Sequence, residues 1–161
     1  MAITKLEKLL AVYSEERELF CRMLALAQEQ VKCVAVSNYT VLATILERRQ
    51  ALAEEISAVA ARAQSVAQEI ARDLDLPETN ISNLRQKLPE AAVAPLEKLL
   101  AQICLVAEEI QQIDAKSEAE MQQAMQGLRG DLKQVQRGQT ALRAYKNAPQ
   151  PHTARFIDRQ R

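Results

Sequence analysis

The chain has 161 residues, 48% of them apolar and 26% charged, with a formal net charge of zero, the balance of a single ordinary soluble domain. Aromatic residues make up 3%, Trp is absent and Gly occurs three times, so Ala, Leu, Ile and Val must form the interior of long helices packed on one another. The longest uncharged run, Cys33 to Leu46, is 14 residues, short of the roughly 20 a membrane-spanning helix needs.

The first helix is expected over residues 2–36. Counting in sevens from Ile3 gives Ile3, Leu6, Leu10, Tyr13, Arg17, Phe20, Leu24, Ala27, Val31 and Val34, an alternating three-four seam broken once by arginine. Lys5, Glu7, Lys8, Glu15 and Glu16 fall where a secretory signal would need an unbroken apolar core. The expected location is therefore the cytoplasm. Ser37-Asn38 then offers a turn and an N-cap.

A second helix, expected over 39–73, carries the seam Leu42, Ile45, Arg49, Leu52, Ile56, Val59, Ala63, Val66 and Ile70. Two helices of this length joined by so short a turn must fold back as an antiparallel hairpin. Arg17 and Arg49 each interrupt a seam. An arginine there either pairs with a glutamate across the hairpin or lays its stem along the core with its head in water, and the second reading is slightly favoured.

Pro77 disfavours helix at Leu76, and Thr79 or Asn80 can cap a short third helix over 81–88, which Pro89 ends. Pro95 fits best in the first turn of a last helix, so that helix is expected over 93–146. It opens on a strong seam, Leu96, Leu99, Ile103, Val106, Ile110 and Ile113, which would complete a three-helix core. From Ser117 to Met121 the pattern skips four residues and resumes sparsely among glutamines. At about 80 Å this helix would outrun its partners, and Gly127, Gly130 and Gly138 each cost about 1 kcal/mol against Ala. The fold class is thus all-α: an antiparallel three-helix coiled-coil bundle with one short connecting helix and a long last helix, a single domain over 1–147. Residues 148–161, with Pro149, Pro151 and the lone His152, are expected to form a flexible tail.

Charge is unevenly spread. Residues 1–74 carry 9 Lys/Arg and 10 Asp/Glu, 75–127 carry 4 and 9, and 128–161 carry 8 and 2. The basic end is spread out and interleaved with only Tyr145 and Phe156, so it offers no stacking platform, and nucleic acid is not an expected partner. Nor is membrane insertion. Cys21, Cys33 and Cys104 are odd in number and lack CxxC spacing, which argues against a disulfide framework or a zinc site and suggests small, reduced core residues. There is no phosphate loop, no HExxH and no histidine in the core to pair with a nucleophile, so neither catalysis nor a cofactor or metal is expected.

The stripe Met121, Met125, Leu128, Leu132, Val135, Leu142 and Tyr145 is the candidate binding surface. Methionines flanked by glutamines make an adaptable apolar face suited to an amphipathic helix of another protein. The same stripe would serve homo-oligomerisation of a structural coiled-coil adaptor. In the tail, Phe156-Ile157 is a candidate docking pair.

Four stretches resemble the FlgN family of flagellar export chaperones: "LEKLLAVYSEERELFCRMLALAQEQ", "VSNYTVLATILERRQALAEEI", "LDLPETNISNLRQKLP", and the ending "ALRAY" followed by "ARFIDRQR". The resemblance covers nearly the whole chain. It implies a cytosolic chaperone that binds the self-associating helical terminal segments of hook-associated, hook-filament junction proteins and delivers them to the flagellar type III export components. It also implies that the later part of the last helix carries the client. Where the family often has paired asparagines, this chain carries Asp114 and Ser117 within "IDAKSEAEM".

Overall fold

The computed structural model describes residues 1–147; Pro149, Pro151, His152, Phe156, Ile157 and the expected tail lie outside the described residues. Among the described residues every regular element is a helix: α1 is Ala2–Ala35, α2 Tyr39–Asp73, α3 Ile81–Lys87 and α4 Glu90–Asn147. The chain divides into two compact units, Met1–Ala119 and Glu120 onward.

Within the first unit the long helices stop by the same device. At the end of α1, Ser37 adopts φ 54°, its N–H bonds to the Val34 carbonyl at 3.2 Å, and the Asn38 N–H reaches back to Cys33 at 2.9 Å. At the end of α2, Asp75 adopts φ 52°, bonds to Arg72 at 3.3 Å, and is followed by Leu76 bonding to Ala71 at 2.8 Å. Both are Schellman stops with a polar non-glycine residue in the left-handed position. The short turn after α1 is then capped, as the sequence suggests, by Asn38, whose side chain accepts from the Val41 N–H at 3.3 Å.

Asn80 caps α3, accepting from the Asn83 N–H at 2.8 Å. Thr79 instead donates its hydroxyl to the Ala67 carbonyl at 2.6 Å, which ties the connecting segment to α2. The last helix starts at Glu90, three residues before the expected 93. Ala91, Ala92 and Ala94 are strong helix formers, and Arg85 grips the Glu90 carboxylate at 2.8 and 3.0 Å across the turn. That hydrogen bond lowers the Glu90 pKa below its ordinary range. Pro95 consequently sits in the second turn, not the first. The hydrogen bond it cannot make is to the carbonyl of Ala91, an exposed residue whose carbonyl water can satisfy.

Cross-helix pairs set direction and register. Lys5 meets Asp73 at 2.7 Å and Glu15 meets Arg62 at 2.7 Å, so α1 and α2 run antiparallel. Arg17 donates to Gln102 at 2.8 Å and Gln30 to Ser117 at 3.5 Å, so the first part of α4 runs parallel to α1.

The α2 seam is buried as expected, with Leu42, Ile45, Leu52, Val59, Ala63, Val66 and Ile70 in the core. On α4 Leu96, Leu99, Ile103 and Ile110 are buried, joined by Val93. The α1 seam is a correction. Of its eight buried residues, Leu9, Val12, Glu16, Leu19, Met23 and Gln30 lie one position before the expected stripe, whereas Leu6 and Ala27 fall on it. Leu10, Tyr13, Phe20 and Leu24 are only partly buried against the core, and Ile3 is exposed. A helix that faces two partners buries a stripe wider than one seam, and Glu16 and Gln30 occupy the deepest line, so a count of apolar residues favours the line beside it. The cysteines are a second correction: Cys21 and Cys104 are exposed and Cys33 half-buried, because each lies off the buried stripe of its helix.

Candidate functional site

Leu84, Val93 and Leu96 join the buried cluster formed by α1 and α2, and α4 then carries a polar layer. Arg49 donates through both terminal nitrogens to the two carboxylate oxygens of Asp114, each at 2.7 Å. The same guanidinium also bonds the side-chain oxygen of Gln30 and approaches the Met23 sulfur at 3.4 Å. Gln30 in turn donates to the hydroxyl of Ser117 at 3.5 Å. Arg49 is therefore not a snorkelling side chain, and its partner is an aspartate of α4 rather than a glutamate of the hairpin. Forked, charge-assisted bonding of this kind fixes three helices in one register. Sequence reasoning noted Asp114 and Ser117 but not their partners, which lie 65 and 87 residues away in the chain. The residues available as a signal were the arginine in the α2 seam and the aspartate one place beyond Ile113.

Arg17 donates to an amide, Gln102, and meets no carboxylate among the described residues. Glu16 is 9% exposed and forms no hydrogen bond or ion pair among the described residues; burial raises its pKa. A count of apolar residues along α1 passes over a glutamate, so the seam does not mark it.

The second unit, by itself, has a different character. Its described part is helical, and every residue from Gln122 to Asn147 is exposed. Met125, Leu128, Leu132, Val135 and Leu142 are between 52% and 63% exposed, and Tyr145 is 84% exposed. Met121 is half-buried. The spacing from Met121 through Val135 alternates four and three, and Leu142 follows one heptad later, so these side chains share one face of the helix. Within the described part of this unit Arg129, Lys133, Arg137, Arg143 and Lys146 outnumber the acidic residues Glu120 and Asp131.

Gly127, Gly130 and Gly138 are all helical, and a Cβ added at any of them would meet nothing within 4 Å. No turn or close approach within the described residues requires them. They leave the helix weaker than its length suggests. An exposed heptad face on such a helix can bury apolar area against an incoming helix and gain order as it does so. Among the described residues no cluster of three or more His, Cys, Asp or Glu could hold a metal, and no helix is long and apolar enough to cross a membrane.

A family model described as FlgN protein matches residues 1–153. No curated protein and no solved structure gives a match.

Proposed function

The chain belongs to the FlgN family of flagellar export chaperones, a chaperone family and not an enzyme family, and from that premise we propose that it is a cytosolic chaperone for hook-filament junction proteins. In this reading it holds their self-associating helical terminal segments, prevents premature polymerisation and delivers them to the type III export apparatus. The single observation that supports the site assignment is the exposed heptad face of Met125, Leu128, Leu132, Val135 and Leu142, with Met121 and Tyr145 at its two ends. The Phe156-Ile157 docking pair is part of the proposal as sequence only.

The physical mechanism is coupled ordering. A packed unit is folded in advance, whereas the distal helix carries three glycines and an apolar face that a client helix would cover. Ordering cost subtracts from contact energy, which holds affinity down and eases release. The preponderance of arginine and lysine on this helix suits a client helix with acidic flanks and opposes pairing with a second copy of itself.

Replacing Leu128, Leu132 and Val135 together by Ser tests the reading. Each side chain has slightly more than half its surface left to bury, about 1 to 2 kcal/mol apiece, so affinity for a hook-associated client should fall at least a hundredfold. Thermal stability of the first unit should stay within about 2 °C. Wild-type affinity in the triple variant removes the stripe as the site. If the change instead dissociates an oligomer in light scattering without client, the adaptor reading takes its place.

A further inference from the structure

In the first unit a groove of about 460 Å³ opens between α1, α2 and the segment that joins α2 to α3. Its floor is small because α2 presents Ala60, Ala63, Ala67 and Ala71 toward it. The Thr79 hydroxyl bond to the Ala67 carbonyl holds the far wall in place. Glu16 and Tyr13 line the groove from α1, Glu78 from the connecting segment, and Gln64 and Gln68 stand one turn apart on α2. None of the lining residues is Lys or Arg.

Glu16 is the anomaly of the site. The residue is 9% exposed, it lines the groove, and it forms no ion pair among the described residues, so its carboxylate has only the water of the groove for a partner. Burying an unpaired carboxylate is unfavourable unless a partner arrives. Tyr13 beside it is half-buried, and its phenol pKa is raised by that burial and then by the charge of Glu16. A second carboxylate, on Glu78, and two amide oxygens surround the same space. Gln64, Gln68 and Glu78 are exposed, so water serves their polar atoms until a ligand displaces it, and no cation lines the space.

We propose that this groove is a docking site for a single arginine side chain of a partner peptide. The occupant is singled out by chemistry. A guanidinium is planar, presents five donors in a fork that matches a carboxylate, and is weakly hydrated, so it leaves water at low cost. Its methylene stem suits a wall of alanines. An ammonium would satisfy the charge but not the spread of acceptors over Glu16, Gln64 and Gln68. A metal ion is a poor occupant, because only two carboxylates line the groove and no cluster of metal-ligating groups exists among the described residues. The site uses no residue of the distal stripe, so it stands or falls separately from client binding there.

The test is a titration of the full chain, labelled with nitrogen-15, followed by NMR. The probe is acetyl-Ala-Ala-Arg-Ala-Ala-amide, compared with the same peptide carrying citrulline, which has the shape of arginine without its charge. Saturable shifts should appear at Glu16, Ala63 and Ala67, with at least tenfold weaker binding of the citrulline peptide. Glu16→Gln should abolish the discrimination between the two peptides while the melting temperature does not fall. Ala67→Leu, which fills the floor, should abolish binding of both. The Leu128, Leu132 and Val135 triple Ser variant should bind the arginine peptide as the unaltered chain does. Equal binding of the two peptides, discrimination that survives Glu16→Gln, or no saturable shift from either peptide overturns the assignment.

Discussion

Removing the carboxylate of Asp114 should weaken the first unit more than any surface ion pair could. The Arg49 side chain is 16% exposed and that of Asp114 39%, which places the pair between two regimes. Breaking a fully buried pair costs about 3 to 5 kcal/mol, whereas exposed pairs contribute roughly 0 to 1 kcal/mol. The two bonds at 2.7 Å argue for the upper part of the gap and the partly wet aspartate for discounting it, so Asp114→Ala should cost about 1.5 to 3 kcal/mol. Asp114→Asn retains one acceptor and should cost roughly half as much. Arg49→Met combined with Asp114→Ala should cost no more than Asp114→Ala alone, because the stranded guanidinium is removed and an apolar stem remains. Urea unfolding followed by far-ultraviolet circular dichroism measures these three and the Arg49→Met single. A loss below about 0.5 kcal/mol for Asp114→Ala, or a double variant as weak as the sum of its singles, would show that the pair does not hold the helices together.

The shifted α1 stripe predicts unequal costs at neighbouring leucines. Leu9→Ala, at a side chain only 1% exposed, should cost about 2 to 5 kcal/mol, and Leu24→Ala, partly buried, about 1 to 2 kcal/mol; the reverse order in denaturant unfolding restores the expected seam. Glu16→Gln should stabilise the protein at neutral pH. Its pKa is raised on folding, so the folded state is favoured when the group is protonated and disfavoured as pH rises through that raised value; the advantage of the variant should be present at pH 7 and fade on acidification toward the unfolded glutamate pKa of about 4.3, and an advantage independent of pH in thermal melts would refute it. Gly127→Ala, Gly130→Ala and Gly138→Ala together should raise helix content of the distal segment without steric cost, by about 1 kcal/mol per site. Hydrogen exchange of residues 122–147 should slow, and no slowing would mean the glycines are not what weakens the helix.

Much of the fold is written in spacing. The α2 seam is legible because all but one of its core positions are apolar and that one, Arg49, falls in register. The turn at Asn38 is legible because a short polar side chain is needed where the helix restarts. The α1 line is not, since Glu16 and Gln30 carry burial that only α2 and α4 impose. The start of α4 is misjudged for a similar reason: Pro95 weighs heavily in a local reading, whereas Ala91, Ala92 and the Arg85–Glu90 bridge extend the helix ahead of it. Cysteine, small and often buried, gives no indication of which face it occupies, and here Cys21 and Cys104 lie on outer faces and Cys33 at the edge of one.

The candidate stripe exposes a deeper limit of pattern reading. Heptad spacing says that one face of a helix is apolar; it does not say what covers it. Leu9 on α1 and Leu132 on α4 sit in similar three-four patterns, yet the first is 1% exposed and the second 59%. The difference is the supply of partners. Arg17 pairs with Gln102 and Gln30 with Ser117, an offset of 85 to 87 residues, and α1 ends at Ala35, so at that offset α1 gives out about where the first unit ends, at Ala119. The stretch where the sequence pattern thins, from Ser117 to Met121, is therefore the stretch where α1 is exhausted. Ser117, 1% exposed and bonded to Gln30, is the last buried position of α4 among the described residues. Beyond it the apolar positions continue at the same spacing and stay exposed among the described residues, which supports the proposal that a partner covers them.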